Sequence, residues 1–369
     1  MKVALVGPTY PFRGGIAHYT SLMATHLARR HETRVYGFRR LYPDRFFPGR
    51  SQLDPSESPL AAVDVRRWLT PWWPPSWRRV AHDWSSWRPD VAVIQWWVPF
   101  MAPMTAWLIR SARRADVRTA LVCHNVLPHE RSRVDAFLAR AALNRADRLI
   151  VHGESERTKA LTLLPGMPVQ VVQLPSYADV ATSSWTQPTA RAALDVRGRM
   201  MLFFGFVRPY KGLLDLLNAM PDVLREIDVT LWVVGEIWGK PSVYFDRVKA
   251  LGLEQRVRFV DRYVTNDEAA LYLAAADLVV LPYREATGSA VLQLAFGLGV
   301  PVVATRTGGM AEAVADGVTG FLVAPGDAAG LGRAIVRFFQ DGRSADMRGA
   351  LAQGDPDTTW ERLIAATVQ

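Results

Sequence analysis

Apolar runs and segments of helical spacing alternate along the first half of the chain. Helical spacing is clearest over residues 16–29 and 134–146, where apolar residues recur every three or four positions. Between such segments the chain predicts buried strands at Val3–Val6, Thr33–Gly37, Val91–Ile94, Thr119–Val122, Leu149–His152 and Val169–Leu174. Strands that alternate with helices predict a parallel sheet joined by crossover helices.

A second series of the same kind begins at Met200. Residues 177–188 precede it, show neither period and contain Ser, Thr and Pro, so they form the predicted linker. The second series predicts strands at Met200–Phe204, Val229–Val234, Val257–Val260, Leu278–Leu281, Pro301–Ala304 and Gly320–Val323. The predicted fold class is α/β, with two doubly wound parallel-sheet domains over residues 1–180 and 189–350. Such domains bind ligands at the carboxyl ends of their strands, in a cleft between the two.

The turn after the first strand of the second series carries two cations. Gly205 permits the turn, Arg208 and Lys211 follow, and Gly212 opens a helical pattern. Cations near a helix N-terminus stabilise an anion together with the helix dipole. Residues 205–212 are therefore predicted to form a phosphate cradle, and the alternative is a solvated loop that happens to be basic.

Two further glycine turns follow predicted strands. Gly14 and Gly15 precede the helical pattern that starts at residue 16, and their backbone N–H groups are able to approach a phosphate closely. In the second domain, Gly288 and Ser289 precede the helical pattern that starts at Ala290. This second helix N-terminus is predicted to point at the same cleft.

Composition sets the class of protein. The chain has 369 residues, 49% hydrophobic and 21% charged, which is ordinary for a globular protein with two cores. It contains one cysteine, and its first strand begins without a signal-peptide pattern, so a cytoplasmic location is expected. Val91–Ile109 is uncharged and almost long enough to span a bilayer, but Pro99 and Pro103 favour a buried strand, a loop and the start of a helix.

Positive charge is concentrated in the first half. Residues 1–180 contain 25 Lys and Arg against 14 Asp and Glu, whereas residues 181–369 contain 19 against 21. The basic stretch is interleaved with Trp68, Trp72, Trp73, Trp77, Trp84, Trp87, Trp96 and Trp97, and with Arg66, Arg67, Arg78, Arg79 and Arg88. Arg with Trp favours an anionic membrane surface. The alternative is core tryptophans beside solubilising arginines, and no nucleic-acid-binding module accompanies the charge.

With these parts in place, the chain resembles the retaining nucleotide-sugar transferases of glycosyltransferase family 4, which have the GT-B fold. The resemblance covers nearly the whole chain, in the order VALVGPTYPFRGGIAHYT, HNVLPHE, ADRLIVHGESER, FFGFVRPYKG, VVGE, RVRFVDRYV, AADLVVLPYREATGS, GVPVVATRTGG and the closing helix with Trp360. We expect residues 351–369 to form that C-terminal helix and to pack back on the first domain.

The resemblance implies roles for several residues. Arg208 and Lys211 would hold the donor diphosphate, together with the turn at Gly205 and the helix start at Gly288, Ser289 and Ala290. Gly14 and Gly15 would touch the phosphates or the acceptor, and backbone near Tyr263 and Val264 would read the nucleobase. His124 would contact the transferred sugar. In the loop beyond it, His129 and Glu130 are candidate acceptor contacts.

Cys123 adjoins His124, but neighbouring residues at a strand end point to opposite faces, which argues against a Cys/His nucleophile. His124 is therefore interpreted as a neutral hydrogen-bonding group, with a structural histidine as the alternative.

The family's acidic motif, two glutamates separated by seven residues, is incomplete here. Glu285 is followed by Gln293, and alignment on GVPVVA places Ala286 and Leu294 at the two positions.

The predicted function is transfer of a sugar from a nucleotide-diphosphate donor of UDP or GDP type to a glycan or polyprenol-linked acceptor, with retention of configuration. The resemblance implies a role in cell-envelope polysaccharide or glycolipid synthesis, with no metal or other cofactor and with Glu285 as a candidate functional carboxylate. A membrane-linked acceptor would bring the cytoplasmic protein to the inner face of the membrane. A nucleotide-sugar epimerase and a non-catalytic partner subunit are the alternatives.

Overall fold

The structure, a computed structural model, describes residues 1–43, 47, 49–56, 63–127, 132–181, 184–354 and 356–369. It divides into two compact units. The first contains Met1–Pro175 together with Asp357–Gln369, and the second contains Ser176–Pro356. The predicted linker 177–188 contributes a 3-10 turn at Ala178–Val180 and the start of a helix, both to the second unit.

Seven parallel strands form the sheet of the first unit, among the residues described there. They are β1 Lys2–Val6, β2 Glu32–Phe38, β3 Val65–Leu69, β4 Val91–Trp96, β5 Arg118–Cys123, β6 Arg148–Val151 and β7 Val169–Val171. Their order across the sheet is β3-β2-β1-β4-β5-β6-β7. Six were predicted. The sequence analysis missed β3, an edge strand in which only Leu69 is buried, because it lacks the long apolar run of a central strand.

Helices cover the sheet of the first unit. They are α1 Gly15–Ala28, α2 Pro74–Trp87, α3 Ala102–Arg114, α4 Arg133–Leu143, α5 Glu154–Leu163 and the C-terminal helix Pro356–Val368. The uncharged stretch Val91–Ile109 forms β4, a 3-10 turn and the start of α3, as predicted. Among the described residues, every helix is too short or too polar to cross a membrane.

Most of the tryptophans in the basic stretch belong to the core. Trp77, Trp84 and Trp87 on α2 are buried, as are Trp96 and Trp97 at the end of β4. Trp72 and Trp73, directly before α2, are exposed. The core interpretation therefore holds for these five tryptophans. A membrane interpretation is restricted to the exposed Trp72 and Trp73.

The C-terminal helix packs on α1 through an aromatic and ionic contact. The Trp360 ring stacks on His26 with centroids 4.8 Å apart and also meets Tyr19 at 5.4 Å. At the surface, Arg29 lies 3.2 Å from the carboxylate of Asp357. Trp360 is buried, so this helix completes the core of the first unit.

The second unit repeats the plan with six parallel strands among its described residues. These are β8 Arg199–Phe204, β9 Val229–Val234, β10 Val257–Val260, β11 Leu278–Leu281, β12 Val302–Thr305 and β13 Gly320–Val323. Their order is β10-β9-β8-β11-β12-β13. The helices are α6 Gln187–Ala193, α7 Leu213–Glu226, α8 Ser242–Ala250, α9 Asn266–Ala275, α10 Ala290–Gly297, α11 Gly308–Ala313, α12 Ala328–Gln340 and α13 Ser344–Ala352. The predicted α/β class of two parallel-sheet domains is confirmed.

Candidate functional site

The backbone of the phosphate cradle is drawn tightly against its neighbours. Gly205 follows β8 at φ +91°, and Gly212 precedes α7 at φ +69°, in the left-handed region that favours glycine. A Cβ on Gly212 would lie 1.9 Å from the carbonyl oxygen of Pro282. These two glycines let the turn fold under the ends of β8 and β11, and residues 209–211 form a 3-10 turn between them.

Lys211 is a buried cation in this cradle. Its side chain is only 8% exposed, and its Nζ lies 5.2 Å from the centre of the Tyr283 ring. Among the described residues it has neither a carboxylate partner nor a side-chain hydrogen bond. Burial lowers the pKa of Lys211. An ammonium buried without an anionic partner costs free energy, and an anion beside it would lower that cost.

Arg208 lies at the exposed rim of the cradle, among aromatic rings. Its guanidinium is 5.0 Å from the ring centre of Tyr210 and 5.3 Å from that of Trp238. Phe206 packs against Trp238 at 4.7 Å and against Tyr263 at 5.8 Å. The predicted cation and the predicted nucleobase contact thus lie at either end of one aromatic group.

The start of α10 forms the other side of the cradle. Ser289 caps this helix, its Oγ accepting the backbone N–H of Leu292 at 3.1 Å. The neighbouring Val291 side chain lies 3.2 Å from where a Cβ on Gly205 would be. Gly288, Ser289 and Ala290 are therefore placed beside the turn, and the first amides of α10 are free of intrahelical bonds, as at any helix start.

An ion pair missed by the sequence analysis locks the cradle. Arg284 donates to both oxygens of Asp215, at 2.8 and 2.7 Å, and its backbone N–H donates to the carbonyl of Tyr210 at 2.7 Å. Asp215 is buried in the first turn of α7. The loop after β11 is thereby fixed to the turn that carries Lys211. The acidic residue in a helix first turn was a visible signal, but its partner lies 69 positions away.

The incomplete acidic motif falls on this loop and on α10. Glu285 is exposed directly after Arg284, and Ala286 and Gln293 are half-buried. Leu294 is buried, so the position that the alignment assigns to the second glutamate is occupied by an apolar core side chain.

The loop proposed to read the nucleobase is also fixed by an ion pair. Tyr263 and Val264 lie between β10 and α9, where Thr265 and Glu268 form a capping box. Arg262 donates to Glu268 at 2.9 Å, and this hydrogen bond, more than any other contact, lowers the pKa of Glu268 to about 2. Val264 is buried and Tyr263 half-buried.

In the first unit, His124 lies at the end of β5 within a ring cluster. Its Nε2 donates to Gln95 Oε1 at 2.8 Å, and its ring is 4.6 Å from Tyr19 and 5.7 Å from His152. Burial, and then the charge of His152, holds the pKa of His124 well below its ordinary range, so the ring is neutral. Burial also lowers the pKa of His152 to about 4. His152 was not predicted as part of a site.

The neighbouring Cys123 has a different environment. It lies in the apolar core of the first unit, and burial raises the pKa of its thiol above the ordinary value. A protonated, enclosed thiol is a poor nucleophile. The structure therefore supports the expectation that this pair does not act as a Cys/His nucleophile.

The remaining predicted residues fall near α1 or outside the described chain. Gly14, at φ +103°, directly precedes α1, which begins at Gly15. His129 and Glu130 lie outside the described residues. Within the described part of the chain, no group of three His, Cys, Asp or Glu side chains could hold a metal ion.

Two family models match this chain, at separate ranges of residues. The family described as "Glycosyl transferases group 1" matches residues 198–341. The family described as "Glycosyl transferase 4-like domain" matches residues 14–176. The two matches fall on the second and the first unit respectively.

Among curated relatives are proteins named D-inositol 3-phosphate glycosyltransferase. The one from Frankia alni is 30% identical over 287 residues, which are 74% of this chain and 67% of that protein. The one from Salinispora tropica is 29% identical over 307 residues, which are 77% of this chain and 61% of that protein. The chain thus spans about three fifths of the length of the latter.

Solved structures resemble the chain over its full length. HepE of Anabaena in complex with UDP-glucose has a TM-score of 0.76 at 21% identity, covering 100% of this chain and 99% of that one. Sucrose-phosphate synthase from Thermosynechococcus elongatus has a TM-score of 0.75 at 18% identity, covering 99% and 98%. At these identities the likeness concerns the fold, and it confirms the predicted GT-B architecture.

Proposed function

Because the chain belongs to the glycosyl transferases group 1 family, we propose that it transfers a sugar from a nucleotide-diphosphate donor to a hydroxyl group, with retention of anomeric configuration. The observation that carries this proposal is Lys211, a buried ammonium without a described anionic partner. A diphosphate in the cradle would supply the missing charge.

The donor side of the proposal rests on the second unit. The diphosphate would contact Lys211, Arg208 and the N-terminus of α10, and these groups would stabilise the charge that develops on it as the sugar departs. This arrangement requires no metal ion. Tyr263 and the backbone at Val264 would contact the nucleobase. HepE is a protein solved with UDP-glucose, which supports a uridine donor as the first to be tested.

The first unit would contribute hydrogen bonds to the sugar. With Nε2 of His124 donating to Gln95, the Nδ1 of the neutral ring is an acceptor that a sugar hydroxyl is able to use. Gln95 is itself held by a contact from its Nε2 to the sulfur of Met23 at 3.3 Å. His124 would therefore position the sugar, and it would not act as an acid or a base.

A thermal-shift screen of nucleoside diphosphates, followed by analysis of a donor-sugar incubation, tests the proposal. One base should stabilise the wild type selectively, because stabilisation scales with affinity. Lys211→Met should abolish the shift, whereas Lys249→Met, an exposed lysine of α8, should keep it. No shift with any nucleotide and no donor turnover would contradict the proposal. Release of an epimerised sugar would favour the epimerase alternative.

We further propose that the enzyme works at the cytoplasmic face of a membrane, in polysaccharide or glycolipid synthesis. The support is the exposed pair Trp72 and Trp73, followed on α2 by the exposed Arg78 and Arg79. Arg66 and Arg67 are less suitable contacts, because Arg66 pairs with Asp83 at 2.7 Å and Arg67 donates to a backbone carbonyl.

Liposome co-sedimentation tests this location. Wild type should sediment with anionic vesicles at low salt and less at high salt, since each arginine near the surface contributes about 1 kcal/mol. Arg78→Ser/Arg79→Ser should sediment less. Wild type that stays in the supernatant with anionic vesicles at low salt would overturn the membrane proposal.

A further inference from the structure

A cavity in the first unit has a basic wall. It lies beyond the carboxyl end of β2, has a volume of about 410 Å³, and is lined by Arg39, Arg40, Arg50 and Arg67. None of the described residues that line it is acidic. We call it the arginine cavity. Four arginines in the lining of one cavity favour an anionic occupant of phosphate type.

Hydrogen bonds hold the walls of the arginine cavity. The side-chain amide of Gln52 accepts from the backbone N–H of Tyr42 and donates to its carbonyl, each at 3.1 Å. Arg13 donates its backbone N–H to the carbonyl of Gln52 at 3.0 Å, and Arg67 donates to the carbonyl of Tyr10 at 2.9 Å. The cavity is therefore a built feature of the loops after β1 and β2.

Arg39 and Arg40 are the cations available to a ligand. Both are exposed, and among the described residues neither has an ion pair or a side-chain hydrogen bond. Arg67 differs, because its guanidinium already bonds a carbonyl. Both residues line the cavity, so both are available to an anion bound in it.

A row of aromatic rings leads from the cavity to the surface. Phe47 and Tyr42, which line the cavity, have ring centres 6.1 Å apart. Tyr42 stacks with Phe100 at 6.4 Å, and Phe100 meets Trp72 at 6.3 Å. Phe100 is 42% exposed, and Trp73, beside the end of the row, is 59% exposed. The row ends on the exposed tryptophans already described.

We propose that the arginine cavity binds the phosphate of a lipid-linked acceptor and that the aromatic row carries the hydrocarbon chain next to it. The charge of the cavity selects an anion, and a continuous apolar row selects a chain attached to that anion. A neutral glycan would offer no charge to Arg39 and Arg40, and a soluble phosphate would leave the row exposed to water. This inference names the acceptor class and rests on the proposed function.

The experiment measures binding of farnesyl phosphate, farnesol and inorganic phosphate to the full chain by calorimetry, below the micellar concentration. Wild type should bind farnesyl phosphate at least about tenfold more tightly than either of the other two, because only this probe uses both parts of the site. Equal affinity for farnesyl phosphate and inorganic phosphate would overturn the lipid assignment and favour a soluble phosphorylated acceptor.

Variants assign the two parts. Arg39→Ser/Arg40→Ser should weaken the binding of farnesyl phosphate by about tenfold or more and leave the binding of farnesol unchanged. Trp72→Ser should weaken the binding of farnesyl phosphate by about threefold and leave the binding of inorganic phosphate unchanged. The matched control is Arg110→Ser/Arg114→Ser, which removes two exposed arginines of α3 and should bind like wild type. Loss of binding in the control equal to that in Arg39→Ser/Arg40→Ser would overturn the site.

Failure of this inference is distinguishable from failure of the proposed function. Arg39→Ser/Arg40→Ser should keep the thermal shift with the nucleotide, because the cradle lies in the other unit. Lys211→Met should lose that shift and keep farnesyl phosphate binding. Nucleotide binding without any farnesyl phosphate binding would reject the lipid acceptor alone.

Discussion

The loops around Lys211 and Tyr263 in the second unit and the rim of the arginine cavity in the first present cations in opposite ways. In the second unit, Lys211 is buried. The ion pair Arg284–Asp215 fixes the loop beside it, and the ion pair Arg262–Glu268 fixes the loop that carries Tyr263. In the first unit, Arg39 and Arg40 are exposed, and the rim is held by backbone hydrogen bonds to Gln52.

The two proposals give the two regions different tasks. A fixed, water-poor cation acts strongly on charge that develops during a reaction, because no reorganisation is needed at that moment. Exposed guanidinium groups hold an anion more weakly, but they adapt to it and are screened by salt. The buried Lys211 would therefore stabilise the departing diphosphate of the proposed reaction, and the exposed arginines would bind the proposed acceptor.

The largest expected effect is that of Lys211→Met. It should remove about 2–4 kcal/mol of transition-state stabilisation, measured as a fall in kcat/KM. It should also raise the unfolding free energy of the ligand-free protein by about 1 kcal/mol, because it removes a buried charge without a described partner. Steady-state kinetics measures the change in kcat/KM, and denaturant unfolding measures the change in unfolding free energy. Lys249→Met is the control for both. Turnover like that of wild type would remove the contrast between the regions.

Arg208→Ala should have a smaller effect than Lys211→Met. Arg208 is exposed and stacks on Tyr210 and Trp238, so the loss should be about 2 kcal/mol in kcat/KM. The matched control is Arg258→Ala, an exposed arginine that stacks on Trp232 in the same unit and should behave like wild type. A loss greater than that of Lys211→Met would show that burial does not determine the strength of the contact.

Glu285→Gln should lower activity less than tenfold, under about 1.4 kcal/mol. The alignment gives the first glutamate position of the family to Ala286, and Glu285 is exposed. Glu254→Gln, another exposed carboxylate of the second unit, provides the comparison in kcat/KM. A loss of about a hundredfold would show that the carboxylate is functional and that the alignment is wrong by one residue.

Glu268→Gln should have the smallest effect, a loss of about 1 kcal/mol in stability at neutral pH, since the pair with Arg262 is partly exposed. The folded-state pKa is about 2 against an ordinary 4.5, so this stability is present above 4.5 and is lost as pH falls towards 2. Urea unfolding at several pH values should show the gap to wild type narrowing below 4.5. A constant gap would mean that the ion pair does not clamp the nucleobase loop.

Local patterns predicted the strands and the turn that carries Arg208 and Lys211, because those signals lie within a few neighbouring residues. Met200–Phe204 with Arg208 and Lys211 is such a signal, and the structure forms a strand there, followed by the turn. The apolar runs of the other central strands were equally clear, since strands covered on both faces are almost wholly apolar.

The features that the sequence did not reveal depend on distant partners or on burial. Asp215 and Arg284 meet only after β11 is placed beside β8. Trp84 and Trp96 could not be separated from Trp72 and Trp73 by composition, because the same residue type serves a core and a surface. The edge strand β3 was missed because its polar residues show no alternation that marks a strand.

The return of the chain to the first unit affects how the protein is made. The polypeptide leaves this unit after Pro175 and re-enters it at Asp357, so the second unit is an insertion within the first. During synthesis the second unit has all of its residues before the first receives Trp360, which covers His26 and Tyr19. That part of α1 therefore stays uncovered until the C-terminal helix has been synthesised, although domains usually fold in order from the N-terminus.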